Sequence, residues 1–247
     1  MSELLFALIS VILVSLVSLI GIITFSINIK KLSKILIYLV SFSVGALFGG
    51  AFLHLLPEAV ASIGLTVEVS MALLSGIIVF FVLEKFVHWH HCHDIDCVQE
   101  PRHIAYMNIA GEIIHNFIDG LVIGSAYIVN VSAGISVTLA VIFHEIPQEI
   151  GDFAVLIHSG FSRKKALISN FLVALTSIIG VIASFAMATY FQALLPLLLP
   201  FAAGGFIYIA GTDLIPELHK ESGLKRSFGQ LVMFVLGIAI MYALLLQ

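Results

Sequence analysis

Long apolar runs are the feature that most limits what this chain can become. Eight of them lie near residues 4–28, 35–59, 69–88, 103–129, 132–158, 165–190, 195–218 and 228–246. A helix crosses the hydrocarbon core of a bilayer with about 20 mostly apolar residues. Hydrophobic residues make up 60% of the chain and charged residues 11%, against about 25% charged in soluble domains. A soluble protein so composed would have too little polar surface to cover its core. The expected fold is an all-α integral membrane protein. Short connections imply one transmembrane domain over 1–247, without a soluble appendage. The start, Met1-Ser2-Glu3 and then Leu4-Leu5-Phe6, lacks the basic segment of a cleaved leader, so the first run is expected to be retained. No basic surface suggests nucleic acid.

The basic residues give the expected orientation. Lys30, Lys31 and Lys34 lie in or beside the first connection, Lys85 and Arg102 the third, Arg163, Lys164 and Lys165 the fifth, and Lys220, Lys225 and Arg226 the seventh. The even connections, such as Asn130-Val131-Ser132-Ala133, carry none. Positive charge stays on the cytoplasmic side, so eight spans with both termini extracytoplasmic account for every Lys and Arg. The third connection, residues 88–103, is then cytoplasmic. Its His88, His90, His91, Cys92 and His93 suit capture of a metal ion, though without the fixed spacing of a structural zinc site. Cys92 and Cys97 share that one loop and form no disulfide framework.

Ionisable residues within the apolar runs point to function, because charge at membrane depth costs about 2.5–3.5 kcal/mol per residue on insertion scales. In the fourth run Glu112, His115 and Asp119 fall on one helical stripe, with Asn116 beside it. In the fifth, His144 and Gln148 are one turn apart, Glu145 and Glu149 form a neighbouring pair, and Asp152 extends that face. Two such faces on helices joined by a tight connection can oppose each other and offer imidazole and carboxylate to one or two cations. Protons are the other candidate, since carboxylates in such settings hold protons more tightly.

The second and seventh runs resemble each other. His54-Leu55-Leu56-Pro57-Glu58 aligns with Asp213-Leu214-Ile215-Pro216-Glu217, and Gly45 falls on Gly204. These runs cross in opposite directions, as in transporters built from inverted repeats. Runs 1–3 and 6–8 would be the halves, with 4 and 5 between them. Pro57, Pro147 and Pro216 lie within the runs, and each frees a carbonyl one turn upstream.

The motifs Glu112-Ile-Ile-His-Asn-Phe-Ile-Asp-Gly120 and His144-Glu-Ile-Pro-Gln-Glu-Ile-Gly-Asp152 closely resemble the signature helices of the ZIP metal transporters, the LIV-1 branch above all. His54-Leu-Leu-Pro and Asp213-Leu-Ile-Pro-Glu217 also look like that branch. The resemblance implies a transporter and not an enzyme, with zinc or another divalent metal as transported substrate and no organic cofactor. It implies His115, Asp119 and His144 as primary ligands, with His54 approaching from the second span. Asn116, Asp119 and Glu145 would hold an adjoining metal position. Glu112 would sit toward the outer side and Asp152 toward the cytoplasmic side, with Glu149, Glu58 and Asp213 as further pathway residues. It also implies that spans 1, 4, 5 and 6 move against 2, 3, 7 and 8, often in a homodimer, within a lipid cell membrane, plasma or inner. One departure matters: the branch has His where this chain has Gln148. A carboxamide oxygen is a harder, weaker ligand than imidazole, which leaves zinc, manganese, iron and cadmium open. The rival readings are an intramembrane zinc metalloprotease with a degenerate His-Glu-x-x-His and a proton-coupled solute carrier. The first lacks its second imidazole.

Overall fold

Each apolar run folds as a helix in a computed structural model of the protein, which describes residues 2–25, 29–89, 101–190, 195–219 and 223–246. Among the described residues there is no strand. Helix α1 is Glu3–Val17, continued as a 3₁₀ segment over Ser18–Phe25. Helix α2 joins Ile29–Gly49, a π-helical turn over Gly50–Leu55, and Leu56–Ile63. Then follow α3, Val67–Trp89, α4, Pro101–Val129, and α5, Val131–His158. Helix α6 runs through Arg163–Ala174 and Thr176–Tyr190. Helix α7 joins Leu195–Tyr208, a second π turn over Ile209–Leu214, and Ile215–His219. Helix α8 is Leu224–Leu244.

Among the described residues, six helices are long and apolar enough to cross a membrane: Glu3–Ile22, Ile35–Ile63, Asn108–Val129, Val131–Ile157, Arg163–Tyr190 and Leu224–Leu244. The apolar parts of α3 and α7 are shorter, Val67–Val82 and Pro196–Thr212.

The polar connections end helices by capping them. Asn130 accepts a hydrogen bond from the Ala133 N–H at 2.7 Å and so starts α5, as an Asn before a helix does. Helix α5 ends in a Schellman turn: the Phe161 N–H reaches Leu156 O and the Gly160 N–H reaches Ile157 O. Gly160 takes φ of 87° there, which favours glycine.

Glycines bring helices together where side chains would hold them apart, as is common in membranes. On α2, a Cβ at Gly45 would meet Phe234 O of α8, and one at Gly237 would meet Phe42 O in return. Helices α3 and α7 meet likewise through Gly76, against Phe201 O, and Gly204, against Leu73 O. A third pair, α4 and α6, closes through Gly120 against Ser177 O and Gly180 against Phe117 O. The aligned glycines Gly45 and Gly204 thus play matching parts. The two π turns also fall in the register of the sequence match, each ending two residues before its proline, Pro57 or Pro216.

The glycine contacts carry a testable consequence. Gly45→Ala puts a methyl group against main chain that cannot swing away, and is expected to cost about 1–3 kcal/mol. Gly151→Ala, with nothing within 4 Å of the new Cβ, should leave thermal unfolding in detergent unchanged or slightly raised. Identical melting of Gly45→Ala and the parent would mean that α2 and α8 do not meet there.

Candidate metal centre

Helices α4 and α5 run antiparallel from the Asn130 connection, which sets their two polar faces against each other. His115 and Asp119 are one turn apart on α4, and His144 and Glu145 are adjacent on α5. Their ligand atoms all lie within 4.8 Å of one another. His115 Nε2 is 3.3 Å from His144 Nε2, 3.2 Å from Glu145 Oε1 and 3.7 Å from Asp119 Oδ2. His144 Nε2 is 3.4 Å from Asp119 Oδ2 and 3.5 Å from Glu145 Oε1. Ligands held about 2.0–2.2 Å from a tetrahedral ion stand roughly 3.3–3.6 Å apart, so these spacings are close to the edges of such a tetrahedron.

The chemistry of the four atoms agrees with the geometry. Asp119, His144 and Glu145 are each 1% exposed. Asp119 Oδ2 and Glu145 Oε1 accept no hydrogen bond, and a buried carboxylate oxygen so placed is costly unless a cation meets it. The His144 ring is oriented by its other nitrogen: Nδ1 lies 3.2 Å from Ala140 O. A carbonyl only accepts, so Nδ1 carries a proton, and Nε2 is the nitrogen that faces the cluster. Metal ligation takes the imidazoles in their neutral form, and the two carboxylates then carry a formal charge that one divalent cation cancels.

Other expected site residues take different places. Gln148 does not join the cluster. Its Nε2–H₂ donates to both oxygens of Glu112, at 3.0 and 3.2 Å. Asn116, fully buried, donates to Glu112 O at 3.1 Å and keeps its own Oδ1 unpartnered. Glu112 and Asp152, expected on opposite sides of the histidine pair, lie on the same side. The cause is the antiparallel packing: moving toward the start of α4 runs the same way as moving toward the end of α5. His54 also stands apart, its Nε2–H donating to Met241 O of α8 at 2.8 Å. Glu149 faces α6, where Asn170 Nδ2 donates to its Oε2 at 2.7 Å. Asp152 Oδ1 accepts from Asn108 Nδ2 at 2.8 Å, while Asp152 Oδ2 and Asn108 Oδ1 stay buried without partners. Glu58 accepts from the side chain of Asn130 at 3.0 Å. The side chains of Asp213 and His88, and residues His90, His91, Cys92 and His93, lie outside the described residues.

Asn108 and Asn170 are the polar residues that the motif reading passed over. A lone Asn in an apolar helix was the available signal, since such a group needs a partner within the bundle. Both line, with Glu112 and Glu149, a cleft between α4, α5 and α6.

Comparison with known proteins returns one family. The family model described as ZIP zinc transporter matches residues 2–103 and 89–245. Zinc transporter ZIP13 of Pongo abelii is 34% identical over 221 residues, covering 82% of this chain and 65% of that protein. Zinc transporter zipt-7.2 of Caenorhabditis elegans is 32% identical, covering 87% of this chain and 59% of that protein. Zinc transporter YKE4 of Saccharomyces cerevisiae is 32% identical, covering 85% and 71%. The chain therefore spans less than two thirds of the length of the first two.

Cobalt reports on this geometry, because four-coordinate Co²⁺ absorbs strongly in the visible where six-coordinate Co²⁺ does not. The purified protein is expected to give the four-coordinate spectrum on titration with Co²⁺. His144→Ala should lose it and His54→Ala keep it. Loss of the spectrum in His54→Ala would put that imidazole among the ligands.

Proposed function

Because the chain belongs to the ZIP zinc transporter family, we propose that it carries a divalent transition-metal ion, zinc first, into the cytoplasm of its cell across the plasma or inner membrane. The observation that carries this reading is the meeting of His115, Asp119, His144 and Glu145, with two carboxylate oxygens buried and unpartnered. Imidazole suits zinc, iron and copper, and carboxylate also suits manganese. The ion exchanges its water for these ligands at the α4–α5 interface. It then passes the carboxylates of Glu112, Glu149 and Asp152 on its way to the loop at 88–103.

The direction rests on all Lys and Arg falling in or beside the odd connections, which positive-inside orientation makes cytoplasmic. That reading uses eight spans, a 3+2+3 inverted repeat and termini on the outer side. Support for the repeat comes from the matched glycines Gly45 and Gly204 and the matched π turns. In alternating access, α1, α4, α5 and α6 would move as one group against α2, α3, α7 and α8. The glycine contacts α2–α8, α3–α7 and α4–α6 each fall inside one group, which favours that division. A protease reading is poorly served: position 148 supplies no imidazole, and its carboxamide is held by Glu112.

Uptake into proteoliposomes tests the reading. The parent is expected to accumulate Zn²⁺, and His115→Ala/Asp119→Ala to fall to the level of empty vesicles. Equal uptake by the double variant would falsify the site. Gln148→His replaces a carboxamide with an imidazole and frees Glu112, so the ratio of Zn²⁺ to Mn²⁺ uptake should rise. An unchanged ratio would remove Gln148 from the determinants of selectivity.

A further inference from the structure

Pro147 interrupts α5 three residues after His144. An α-helical N–H at position 147 would go to the carbonyl of Phe143, and proline has none to give. Phe143 O is therefore left without its helical donor immediately before the two α5 ligands, His144 and Glu145. Within a bilayer such a carbonyl is satisfied by a neighbouring helix, a Ser or Thr side chain or an ordered water.

Ser43 of α2 supplies the missing bond. The residue is fully buried, and its Oγ–H donates to Phe143 O across the α2–α5 interface. The same hydroxyl lies 2.9 Å from Leu39 O, one turn back in its own helix. A serine hydroxyl has one proton. Leu39 O already takes a helical N–H, so the carbonyl that depends on Ser43 is Phe143 O. The surrounding contacts hold the two groups in register. The Phe42 and Phe143 rings meet edge to face with centroids 4.8 Å apart. A Cβ on Gly50 of α2 would come to 3.3 Å from Ala140 Cβ, and Ala140 O is the acceptor for His144 Nδ1–H. The turn from Ala140 to His144 is thus pinned by α2 at both ends.

We propose that Ser43 is a positioning residue of the metal centre: its hydroxyl replaces the N–H that Pro147 lacks and so sets the turn that aims His144 and Glu145 at the ion. The inference rests on the metal site argued above. Other residues that orient a ligand set a precedent for the size of the effect, about 10–100-fold in metal affinity.

A double-mutant cycle with Zn²⁺ and Co²⁺ titration of the purified full chain tests it. Ser43→Ala is expected to weaken Zn²⁺ binding about 10–100-fold and to alter the Co²⁺ spectrum. Ser43→Thr, which keeps the hydroxyl, should restore both. In a Pro147→Ala background, where the helix regains its own donor, Ser43→Ala should change affinity by less than about 3-fold. Should Ser43→Ala fail to give monodisperse protein, Ser43→Cys, with a weaker donor in the same volume, is expected at intermediate affinity. Parental affinity in Ser43→Ala, or an equal loss in both backgrounds, overturns the proposal. A parent that binds neither metal overturns the metal site itself, a different outcome from either.

Discussion

Two buried carboxylate oxygens without a hydrogen-bond donor, set against two imidazoles between α4 and α5, are the constraint on which the rest depends. Asp119 Oδ2 and Glu145 Oε1 are buried, unpartnered and within reach of two imidazole nitrogens. Removing a carboxylate from water without a partner is among the most costly events in folding, and a bilayer offers no water to relieve it. Such oxygens persist only because neighbouring contacts deny them a cheaper arrangement. His144 is tied back to Ala140 O and cannot turn its protonated nitrogen inward. Asn116 and Gln148, the nearest amide donors, are both spent on Glu112.

The backbone obeys the same rule of closure, and Pro57, Pro147 and Pro216 meet it in two ways. At Pro147 a side chain from another helix, Ser43, satisfies the freed carbonyl. At Pro57 and Pro216 the chain instead widens into π turns just upstream, with Leu56 N–H bonding Ala51 O and Ile215 N–H bonding Ala210 O. A π turn shifts the hydrogen-bond register by one residue and so absorbs an interruption. That the two π turns sit at aligned places in α2 and α7 gives the short sequence match a structural counterpart, independent of which side chains happen to agree.

The helices and the heart of the site were legible in the sequence because they rest on periodicity. Apolar runs gave the helical segments, and the spacing of His115 from Asp119 gave one face. What periodicity cannot give is how far each side chain reaches or which neighbour it meets first. Gln148 and His144 share a stripe, yet Gln148 extends to Glu112 while His144 turns inward. His54 lies in a motif that reads as a ligand, yet the close α2–α8 packing at Gly49, where a Cβ would meet Met241, brings Met241 O to its ring. The placement of Glu112 depended on the sense of packing of two helices, which a list of spacings along one helix does not contain. Asn108 and Asn170 were invisible for the opposite reason: neither belongs to a motif, and each becomes meaningful only beside its carboxylate.

The carboxylates divide by how they are compensated. Glu112, Glu149 and Asp152 each accept from a carboxamide, Gln148, Asn170 and Asn108 in turn. Asp119 and Glu145 keep an oxygen open beside imidazoles. A carboxamide lowers the cost of a buried carboxylate without supplying charge, so a cation arriving at Glu112 or Glu149 displaces hydrogen bonds and gains less, whereas Asp152 is held at one oxygen and keeps the other open. A cation at the open pair displaces none. Passage requires binding tight enough to capture an ion and weak enough to release it. On the proposed path an ion would leave the open pair for carboxylates already half satisfied by neutral donors. The amide partners would then grade the affinity downward along the route, and Gln148 would belong to that gradient as the partner of Glu112 and not as a ligand of the first site.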